Sequence, residues 1–316
     1  MAKALLMGAT GQDGAYMAHA LLAKGWEVIG STRDRFTYNS ANLCRLQISD
    51  QLKLININPS DFRSVHQAIL TIEPDLLVNL SGQTSVALSF EQPVEAIESI
   101  ATATLNILES LRMIRKKIKF INIGSSECFG ETIEAATEET AFRPVSPYAV
   151  AKSTAAWHVS AYRQAYGIWA STAIMSNHES PLRGKQFITQ KLIACAKQCA
   201  LDPSYQVNVG DLTVIRDWGW APDYVDALAR MAHQDEPSDY IIATGESNSL
   251  DIFAEKIFTN LGMDYRDHLV LRKELCRPLE LKSTKLNPAK AAKTLGWSST
   301  LDLDGIVEKL LNDKVF

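Results

Sequence analysis

The chain has 316 residues, of which 46% are hydrophobic, enough for the core of one large α/β unit and a smaller lobe. Its net charge of −4 and its lack of a long run of lysines and arginines argue against nucleic-acid binding. Five scattered cysteines predict neither a disulfide framework nor a metal site.

Short apolar runs alternate with amphipathic runs over the first half of the chain. The apolar runs predict six strands, at residues 4–7, 28–30, 54–57, 76–78, 120–123 and 170–175. The amphipathic runs predict helices at residues 13–24, 94–113 and 148–166. Because the strands are apolar throughout and helices separate them, we expect an α/β fold with a Rossmann-type doubly wound parallel sheet.

The sequence pattern changes after about residue 177, where prolines, arginines and loop residues become frequent. This change predicts a dinucleotide-binding domain over residues 1–176 and a smaller mixed α/β lobe that binds substrate over residues 177–316. A late strand near residues 240–244 is expected to rejoin the large sheet. No stretch reaches the ~20 apolar residues of a membrane span, and no signal peptide precedes the first strand, so we expect a cytoplasmic protein without membrane contact.

A glycine-rich turn with the spacing Gly-x-x-Gly-x-x-Gly separates the first strand from the first helix. Such glycines allow a tight turn and a close approach of a pyrophosphate to the free N–H groups of the helix. The turn therefore predicts a dinucleotide site formed by Gly8, Thr10, Gly11, Gln12, Asp13 and Gly14.

Two arginines, Arg33 and Arg35, follow the second strand. An NAD enzyme usually has an acid here that holds the ribose 2′-hydroxyl, whereas basic side chains suit a 2′-phosphate, so the pair favours NADP. Asp34 leaves NAD open if the strand extends further, and the arginines could also be solvated surface charges.

A tyrosine and a lysine four residues apart, Tyr148 and Lys152, open a predicted helix and share one of its faces. A nearby cation favours the phenolate, so we expect the lysine to lower the tyrosine pKa and create a general acid/base. Ser125 and Glu127 follow the fifth strand, at the edge of the sheet where ligands bind. A second strong base is needed to eliminate water but not for simple reduction. The alternative for Glu127 is an acid that caps a neighbouring helix.

Further motifs accompany these residues along the chain. They are Gly-Ala-Thr-Gly-Gln-Asp-Gly-Ala-Tyr (8–16), Asn-Leu-Ser-Gly-Gln (79–83), Ser-Ser-Glu-Cys-Phe-Gly (125–130), Ser-Pro-Tyr-Ala-Val-Ala-Lys (146–152), Asn-His-Glu-Ser-Pro-Leu-Arg-Gly (177–184), Phe-Ile-Thr-Gln-Lys (187–191), Arg-Asp-Trp-Gly (216–219), Asp-Tyr-Val (223–225) and Arg-Pro-Leu-Glu (277–280). With these motifs the chain resembles, from end to end, the GDP-mannose 4,6-dehydratase family of extended short-chain dehydrogenase/reductases.

The resemblance implies an internal redox cycle on a GDP-hexose. In this cycle Tyr148, helped by Ser125 and Lys152, takes the proton of the C4 hydroxyl while NADP takes the C4 hydride. Glu127 then removes the C5 proton and assists loss of the C6 hydroxyl as water. Return of the hydride to C6 gives a GDP-4-keto-6-deoxy sugar, and the cofactor ends as it began.

The resemblance also implies binding residues and an oligomeric state. Leu80, Ser81 and Gln83 are expected to contact the cofactor. The residues expected to hold the GDP-sugar are Ser85, Asn177, Ile188, Lys191, Arg216, Arg277 and Glu280. Three cations suit a diphosphate, and a carboxylate can accept hydrogen bonds from guanine. The family is oligomeric, so a homodimer or homotetramer is expected.

Several positions depart from the family pattern, among them Ser125 where threonine is usual and Val145 where many members carry arginine. Alternatives are therefore a dehydratase for another GDP-sugar such as a heptose, a GDP-4-keto-sugar reductase or epimerase, and a silent NADP-binding protein. Three neighbouring residues remain to be placed. His178 is expected either to bind a substrate hydroxyl or to be hydrogen-bonded in the interior, Trp218 to pack under a turn, and Cys128 to face away from Glu127.

Overall fold

Parallel strands form the centre of the molecule in a computed structural model, which describes residues 1–114 and 116–316. The strands in chain order are β1 (Lys3–Met7), β2 (Glu27–Thr32), β3 (Lys53–Asn56), β4 (Leu76–Asn79), β5 (Lys119–Ile123), β6 (Ala170–Met175), β7 (Asn177–Glu179), β8 (Val207–Val209), β9 (Ile215–Trp220), β10 (Tyr240–Ile242), β11 (Ser247–Ser249) and β12 (Leu269–Leu271).

Helices connect and cover these strands. The α-helices are α1 (Gln12–Ala23), α2 (Ala41–Arg45), α3 (Phe62–Ile72), α4 (Val86–Glu91), α5 (Pro93–Ala96), α6 (Ala103–Met113), α7 (Pro147–Tyr166), α8 (Ile188–Cys199), α9 (Ala221–Ala232), α10 (Leu250–Thr259), α11 (Ala289–Leu295) and α12 (Leu303–Leu311). Among the described residues, none of the helices is long and apolar enough to cross a lipid bilayer.

The large sheet has the order β3-β2-β1-β4-β5-β6-β10, and within the described ranges its seven strands are all parallel. The chain reverses its direction of travel across the sheet between β1 and β4, which is where an open α/β sheet forms its ligand crevice. The expected doubly wound Rossmann-type fold is thus confirmed, and each of the six strands predicted in the first half matches an observed strand to within two residues.

Both faces of this sheet are buried, which explains why its strands are apolar at consecutive positions. Leu6 and Val78 point to the face covered by α1 and α9. Leu5, Leu77 and Phe120 point to the face covered by α3 and α6. Burying each such side chain stabilises the fold by about 1.5–3 kcal/mol, so the sheet is a rigid platform for the loops at its carboxyl edge.

The part of the chain after β6 forms smaller sheets and a second hydrophobic core. Strands β11, β9 and β7 pair in one sheet, and β8 pairs with β12. Helices α8, α10 and α12 pack their apolar faces around Phe253 and Trp218. Strand β10 lies in the large sheet beside β6. We retain the division at residue 176 as a proposal, with β10 counted to the first domain.

The helix predicted over residues 94–113 is one continuous helical run with an irregular centre. A π-helical segment, Ile97–Thr102, separates α5 from α6. Ser99 in this segment accepts a hydrogen bond from the Gln83 backbone N–H at 3.1 Å. The segment therefore supports the loop after β4, and such a π-bulge leaves no clear mark in apolar periodicity.

Candidate active site

A cavity of about 1150 Å³ lies at the carboxyl edge of the large sheet, beneath the smaller lobe. The loops that follow β1, β4, β5 and β6 line one side of it, and β7, α8 and β9 line the other. This is the crevice that the strand order predicts for a ligand.

The glycine-rich turn forms one end of the cavity. A Cβ atom at position 14 would lie 2.2 Å from the Gly8 carbonyl oxygen, so only glycine lets α1 pack against the turn. At Gly11 a Cβ atom would meet nothing closer than 3.4 Å, and this residue lines the cavity with Gln12 and Asp13. The first N–H groups of α1, a helix of 12 residues, thus fit a pyrophosphate.

The other predicted cofactor residues fall into two groups. Leu80 and Ser81 line the cavity with the turn. The remaining ones, Gly8, Thr10, Gln83, Arg33 and Arg35, are not among the described residues that line it. Gly8 supports the turn from behind, since a Cβ atom there would lie 2.7 Å from the Leu80 carbonyl oxygen. The Gln83 side chain donates to the Ser85 carbonyl oxygen at 2.6 Å.

The two arginines lie on an exposed turn after β2, which ends at Thr32. The Arg35 guanidinium lies 5.0 Å from the centre of the Phe36 ring. Asp34 accepts hydrogen bonds from the Phe36 N–H at 2.8 Å and the Thr37 hydroxyl at 2.7 Å, and the first of these lowers its pKa most. Asp34 therefore closes the turn, because the strand stops before reaching it.

Helix α7 carries the predicted acid/base pair. Ser146 caps its N-terminus by accepting from the Ala149 N–H at 3.1 Å, which fixes the first turn. Tyr148 and Lys152 are 9% and 6% exposed and face the cavity together, with Lys152 Nζ 5.9 Å from the centre of the tyrosine ring. Lys152 Nζ donates to the Ile123 carbonyl oxygen at 2.7 Å, so it is tied to the end of β5.

Burial controls the charges of this pair. It raises the pKa of the Tyr148 phenol, while a hydrogen bond with Ser125 acts in the opposite direction. Burial also lowers the pKa of Lys152 to about 8. The pKa of the phenol is thus raised and not lowered as expected, because burial outweighs all other effects on it, while a lysine with a pKa of about 8 still carries its charge at neutral pH.

Glu127 follows β5, as expected, and lies on a 3₁₀ turn, Ser126–Phe129. Ser125 caps this turn by accepting from the Glu127 N–H at 3.3 Å. The Glu127 carboxylate is 8% exposed and lies 3.7 Å from Arg216 Nε, so its partner is a cation and not a helix end. Cys128 is buried against Ala149, and burial raises its pKa to about 11, which makes it a poor nucleophile.

The predicted substrate residues surround the far half of the cavity. All seven line it, namely Ser85, Asn177, Ile188, Lys191, Arg216, Arg277 and Glu280. Ser85 also caps α4 by accepting from the Leu88 N–H at 3.2 Å. Ile188 and Lys191 lie in the first turn of α8, where exposed N–H groups and a cation suit an anion.

Charged substrate residues pair with each other across this half of the cavity. Arg216 Nη2 lies 2.9 Å from Glu280 Oε1, and Arg277 Nη1 lies 3.0 Å from the same oxygen. Burial raises the pKa of the Glu280 carboxyl, and the two arginines oppose that change. A diphosphate that binds here must therefore share both guanidinium groups with a carboxylate already present.

The Asp13 side chain lines the cavity, and its carboxylate is engaged by a histidine. His178 Nε2 lies 2.9 Å from Asp13 Oδ2, and His178 Nδ1 lies 2.8 Å from the Ser176 carbonyl oxygen. Both ring nitrogens thus face acceptors, which favours the imidazolium. Burial opposes both charges, but their attraction prevails: the pKa of Asp13 is lowered and that of His178 is raised. His178 is therefore an interior hydrogen-bonded residue.

Two further residues near the cavity are Trp218, which was expected, and Arg183, which sequence reasoning did not single out. Trp218 is a core residue as expected, packing edge-on against Phe253 with 5.2 Å between ring centres, but it lies in strand β9 and not under a turn. Arg183 lines the cavity and donates to the His178 carbonyl oxygen at 2.6 Å. The motif at residues 177–184 contains Arg183, so its position was the available signal.

Comparison with known proteins places these features in a family. A family model described as "GDP-mannose 4,6 dehydratase" matches residues 5–310. GDP-mannose 4,6 dehydratase 1 of Arabidopsis thaliana is 36% identical over 98% of this chain and 89% of its own length. The GDP-mannose 4,6-dehydratase of Vibrio cholerae is 33% identical over 98% and 92%, and that of Drosophila melanogaster is 32% identical over 98% and 85%.

Solved structures of related proteins share the fold. A dTDP-glucose 4,6-dehydratase from Bacillus anthracis in complex with NAD has a TM-score of 0.85 at 18% identity, over 99% of this chain and 96% of that one. A UDP-glucose 4-epimerase from Thermotoga maritima with UDP-glucose also has a TM-score of 0.85, at 19% identity, over 98% of each chain. At such identities the likeness shows the architecture alone.

Proposed function

Because this chain belongs to the GDP-mannose 4,6-dehydratase family, we propose that it eliminates water from GDP-mannose, or a closely related GDP-hexose, to form the 4-keto-6-deoxy sugar. The chain is a nucleotide-sugar 4,6-dehydratase. One observation carries the assignment of its chemistry: Ser125, Glu127, Tyr148 and Lys152 line a single cavity whose other end is the glycine-rich turn.

The first step that the chain itself performs is removal of the C4 hydroxyl proton by the Tyr148 phenol oxygen. The Ser125 hydroxyl opposes the effect of burial on the pKa of this phenol. Lys152 holds a positive charge near the ring and is anchored on the Ile123 carbonyl oxygen. Bound nicotinamide supplies a reversible hydride acceptor for C4 and donor for C6.

The second step is removal of the C5 proton by the Glu127 carboxylate, after oxidation at C4 has made that proton acidic. The C6 hydroxyl then leaves as water. Glu127 suits this step because it is an acidic side chain almost excluded from solvent and close to the tyrosine. It also distinguishes the dehydratase from a simple reductase or a C4 epimerase, neither of which needs a second base.

We propose NADP as the nicotinamide cofactor, held by the N-terminus of α1 and by Leu80 and Ser81. Arg33 and Arg35, exposed after β2, are available for a 2′-phosphate, and Asp34 is engaged in its own turn. The solved structures with the same fold include complexes with NAD, so the choice between the two cofactors rests on these arginines.

The substrate nucleotide is proposed to be GDP, with Lys191, Arg216 and Arg277 on the diphosphate and Glu280 on the base. We also propose a homodimer or homotetramer, supported by the exposed apolar side chains of Val94 and Trp157 on α5 and α7. A cytoplasmic location agrees with free buried thiols such as Cys195 and Cys199.

Incubation with GDP-mannose and a catalytic amount of NADP tests the proposed reaction. We expect the product to be lighter than the substrate by one water and no net NADPH to form, because the hydride returns to the sugar. Net consumption of NADPH on a keto-sugar, without loss of water, would instead establish the reductase.

Substitution Glu127→Gln tests the role of the base. We expect water loss to slow by about 10²–10⁴-fold, while oxidation at C4 survives and becomes visible as a transient rise in NADPH. Glu131→Gln is the matched control, because Glu131 is exposed just after the same turn. Dehydration at the native rate in Glu127→Gln would refute the assignment.

A further inference from the structure

Four charged side chains form a continuous row across the substrate half of the cavity, and we call Glu127, Arg216, Glu280 and Arg277 the charge row. Arg216 is its centre, with Nε 3.7 Å from Glu127 Oε1 and Nη2 2.9 Å from Glu280 Oε1. Arg277 extends the row on the far side of Glu280, at 3.0 Å. The row thus connects the proposed nucleotide ligands directly to the proposed base.

The Arg216 guanidinium is held on two of its three nitrogens. Nη1 donates to the carbonyl oxygens of Ile215 and Leu281, each at 2.9 Å, and Nη2 donates to Glu280. The remaining donor, Nε, faces Glu127 at a distance slightly too long for a hydrogen bond. Because a guanidinium is a rigid plane, a force on its Nη2 edge changes where Nε points.

The diphosphate of a bound nucleotide acts on that edge. Glu127 and Glu280 balance the charges of Arg216 and Arg277, so the row is neutral before substrate binds. A diphosphate adds negative charge beside Arg216 and competes with Glu280 for it. The base Glu127 is only 8% exposed and pairs with Arg216. A shift of the Arg216 guanidinium on nucleotide binding therefore acts directly on the Glu127 carboxylate.

We propose that Arg216 is a positioning residue which makes water elimination depend on the nucleotide, by aiming the Glu127 carboxylate at C5 when the diphosphate fixes its guanidinium. This rests on the proposed role of Glu127 as the base. In the step that it serves, the carboxylate takes the C5 proton and the C5–H electron pair forms the C5–C6 double bond. The C6 hydroxyl takes that proton from the Glu127 carboxyl and leaves as water with the C6–O electron pair, which returns Glu127 to its carboxylate form.

Arg277 provides a matched comparison. It shares with Arg216 the contact to Glu280 and the proposed contact to the diphosphate. The Glu127 contact belongs to Arg216, and Arg277 lies beyond Glu280 in the row. Replacing the planar guanidinium of either arginine should weaken nucleotide binding. Only the replacement at Arg216 should also change the position of the Glu127 carboxylate.

The test compares Arg216→Lys with Arg277→Lys, because each substitution keeps the charge and removes the planar fork. We expect both variants to bind GDP more weakly by calorimetry and to show a raised KM. Only Arg216→Lys should also slow the elimination step, by about tenfold or more. Its C4 oxidation should persist, so NADPH should accumulate transiently and exchange of the C5 proton with D₂O should fall in the same proportion.

Two results would overturn the proposal: an unchanged elimination rate in Arg216→Lys despite its raised KM, or an equal loss in both variants. If Arg216→Lys fails to fold, Arg216→Gln serves instead, because it keeps a planar hydrogen-bonding head but removes the charge that faces Glu127, and it should give the same separation of oxidation from elimination. Full dehydration by Glu127→Gln would refute the proposed base, on which the role of Arg216 rests, whereas failure of the unmodified chain to release water from GDP-mannose would refute the proposed function itself. Loss of dehydration in Glu127→Gln with normal elimination in Arg216→Lys would remove only the role of Arg216.

Discussion

Tyr148 and Lys152 share one face of α7, and burial moves both away from their charged forms. The phenol pKa rises and the lysine pKa falls to about 8. Sequence spacing could place the two side chains on a common helix face. It could not reveal that both side chains are almost fully buried, because the strands and loops that bury them come from distant segments.

The Lys152 shift has a consequence for stability. Its pKa is about 8 in the folded chain and near 10.5 in an unfolded one. Between these values the unfolded state binds the extra proton, so the free energy of unfolding should rise with pH by about 1.4 kcal/mol per unit. Urea unfolding of Lys152→Met should lack this rise, and Lys197→Met, at an exposed position, should retain it. An identical pH dependence in both variants would contradict the shift.

Some residue roles could be predicted from local spacing and others could not. Ser125 and Glu127 were found because they follow a predicted strand. Arg216 pairs with Glu280 across 64 positions, and Asp13 pairs with His178 across 165. No local pattern contains such pairs, so the charges expected to face ligands turn out to be partly satisfied by one another.

At the scale of elements, an ion pair and a hydrogen bond connect the glycine-rich turn to β7 and the residue after it. The Asp13–His178 ion pair joins them, and the Ser180 hydroxyl donates to the Gln12 side chain at 2.8 Å. The turn belongs to the proposed cofactor site and β7 to the substrate lobe. These two contacts therefore hold the proposed substrate lobe in position against the first helix.

The pair should stabilise the fold within a limited pH range. The raised His178 pKa means that its contribution is complete below pH 6.5, its ordinary value, and is lost as pH rises through the folded value. The lowered Asp13 pKa means a contribution present above pH 3.8 and lost as pH falls. Asp13→Asn should cost about 3 kcal/mol in this range, as expected for a broken buried ion pair, and less at alkaline pH.

Denaturant unfolding at several pH values measures this cost, and Asn42→Ala is the control. That substitution removes the hydrogen bond from Asn42 to the Thr10 carbonyl oxygen on the same turn but touches no titrating group, so its cost should not vary with pH. A cost of Asp13→Asn that is constant from acid to alkaline pH would show that the imidazolium is not the form present.

Long regular elements were predictable where their apolar pattern is clear, and strand β6 and helix α7 were located to within one residue. Strand β9 was missed although it has six residues, because its Arg216 and Asp217 suggest a loop. The three-residue strands β7, β8 and β11 and the 3₁₀ turn at Glu127 were not located either, since they are too short for periodicity. These irregular pieces carry several of the site residues, which is why the site is harder to derive from sequence than the sheet.

At the scale of the whole molecule, one cavity joins the glycine-rich turn to the charge row, so cofactor and substrate ends face each other. The cofactor end of the cavity could be predicted from the parallel sheet, because ligands bind at the carboxyl edge of such a sheet. The position of the smaller lobe depends on long-range pairings such as β10 with β6, of which the sequence pattern indicated only a late strand.

A cofactor that is regenerated in each cycle has no need to leave the cavity. We therefore expect protein purified without added nucleotide to release NADP when denatured, identified by mass spectrometry. Gly11→Ala is the matched control, because its Cβ atom meets the fold at an acceptable 3.4 Å but intrudes where the pyrophosphate is proposed to lie. Release of NAD in place of NADP would contradict the role given to Arg33 and Arg35.

Transfer of hydride within one sugar molecule is the central claim, and deuterium at C4 of GDP-mannose tests it most directly. The account predicts that the 4-keto-6-deoxy product retains one deuterium, located on C6 by NMR, even when unlabelled NADPH is present in excess. Deuterium found in the free cofactor pool, or a product without label at C6, would contradict it.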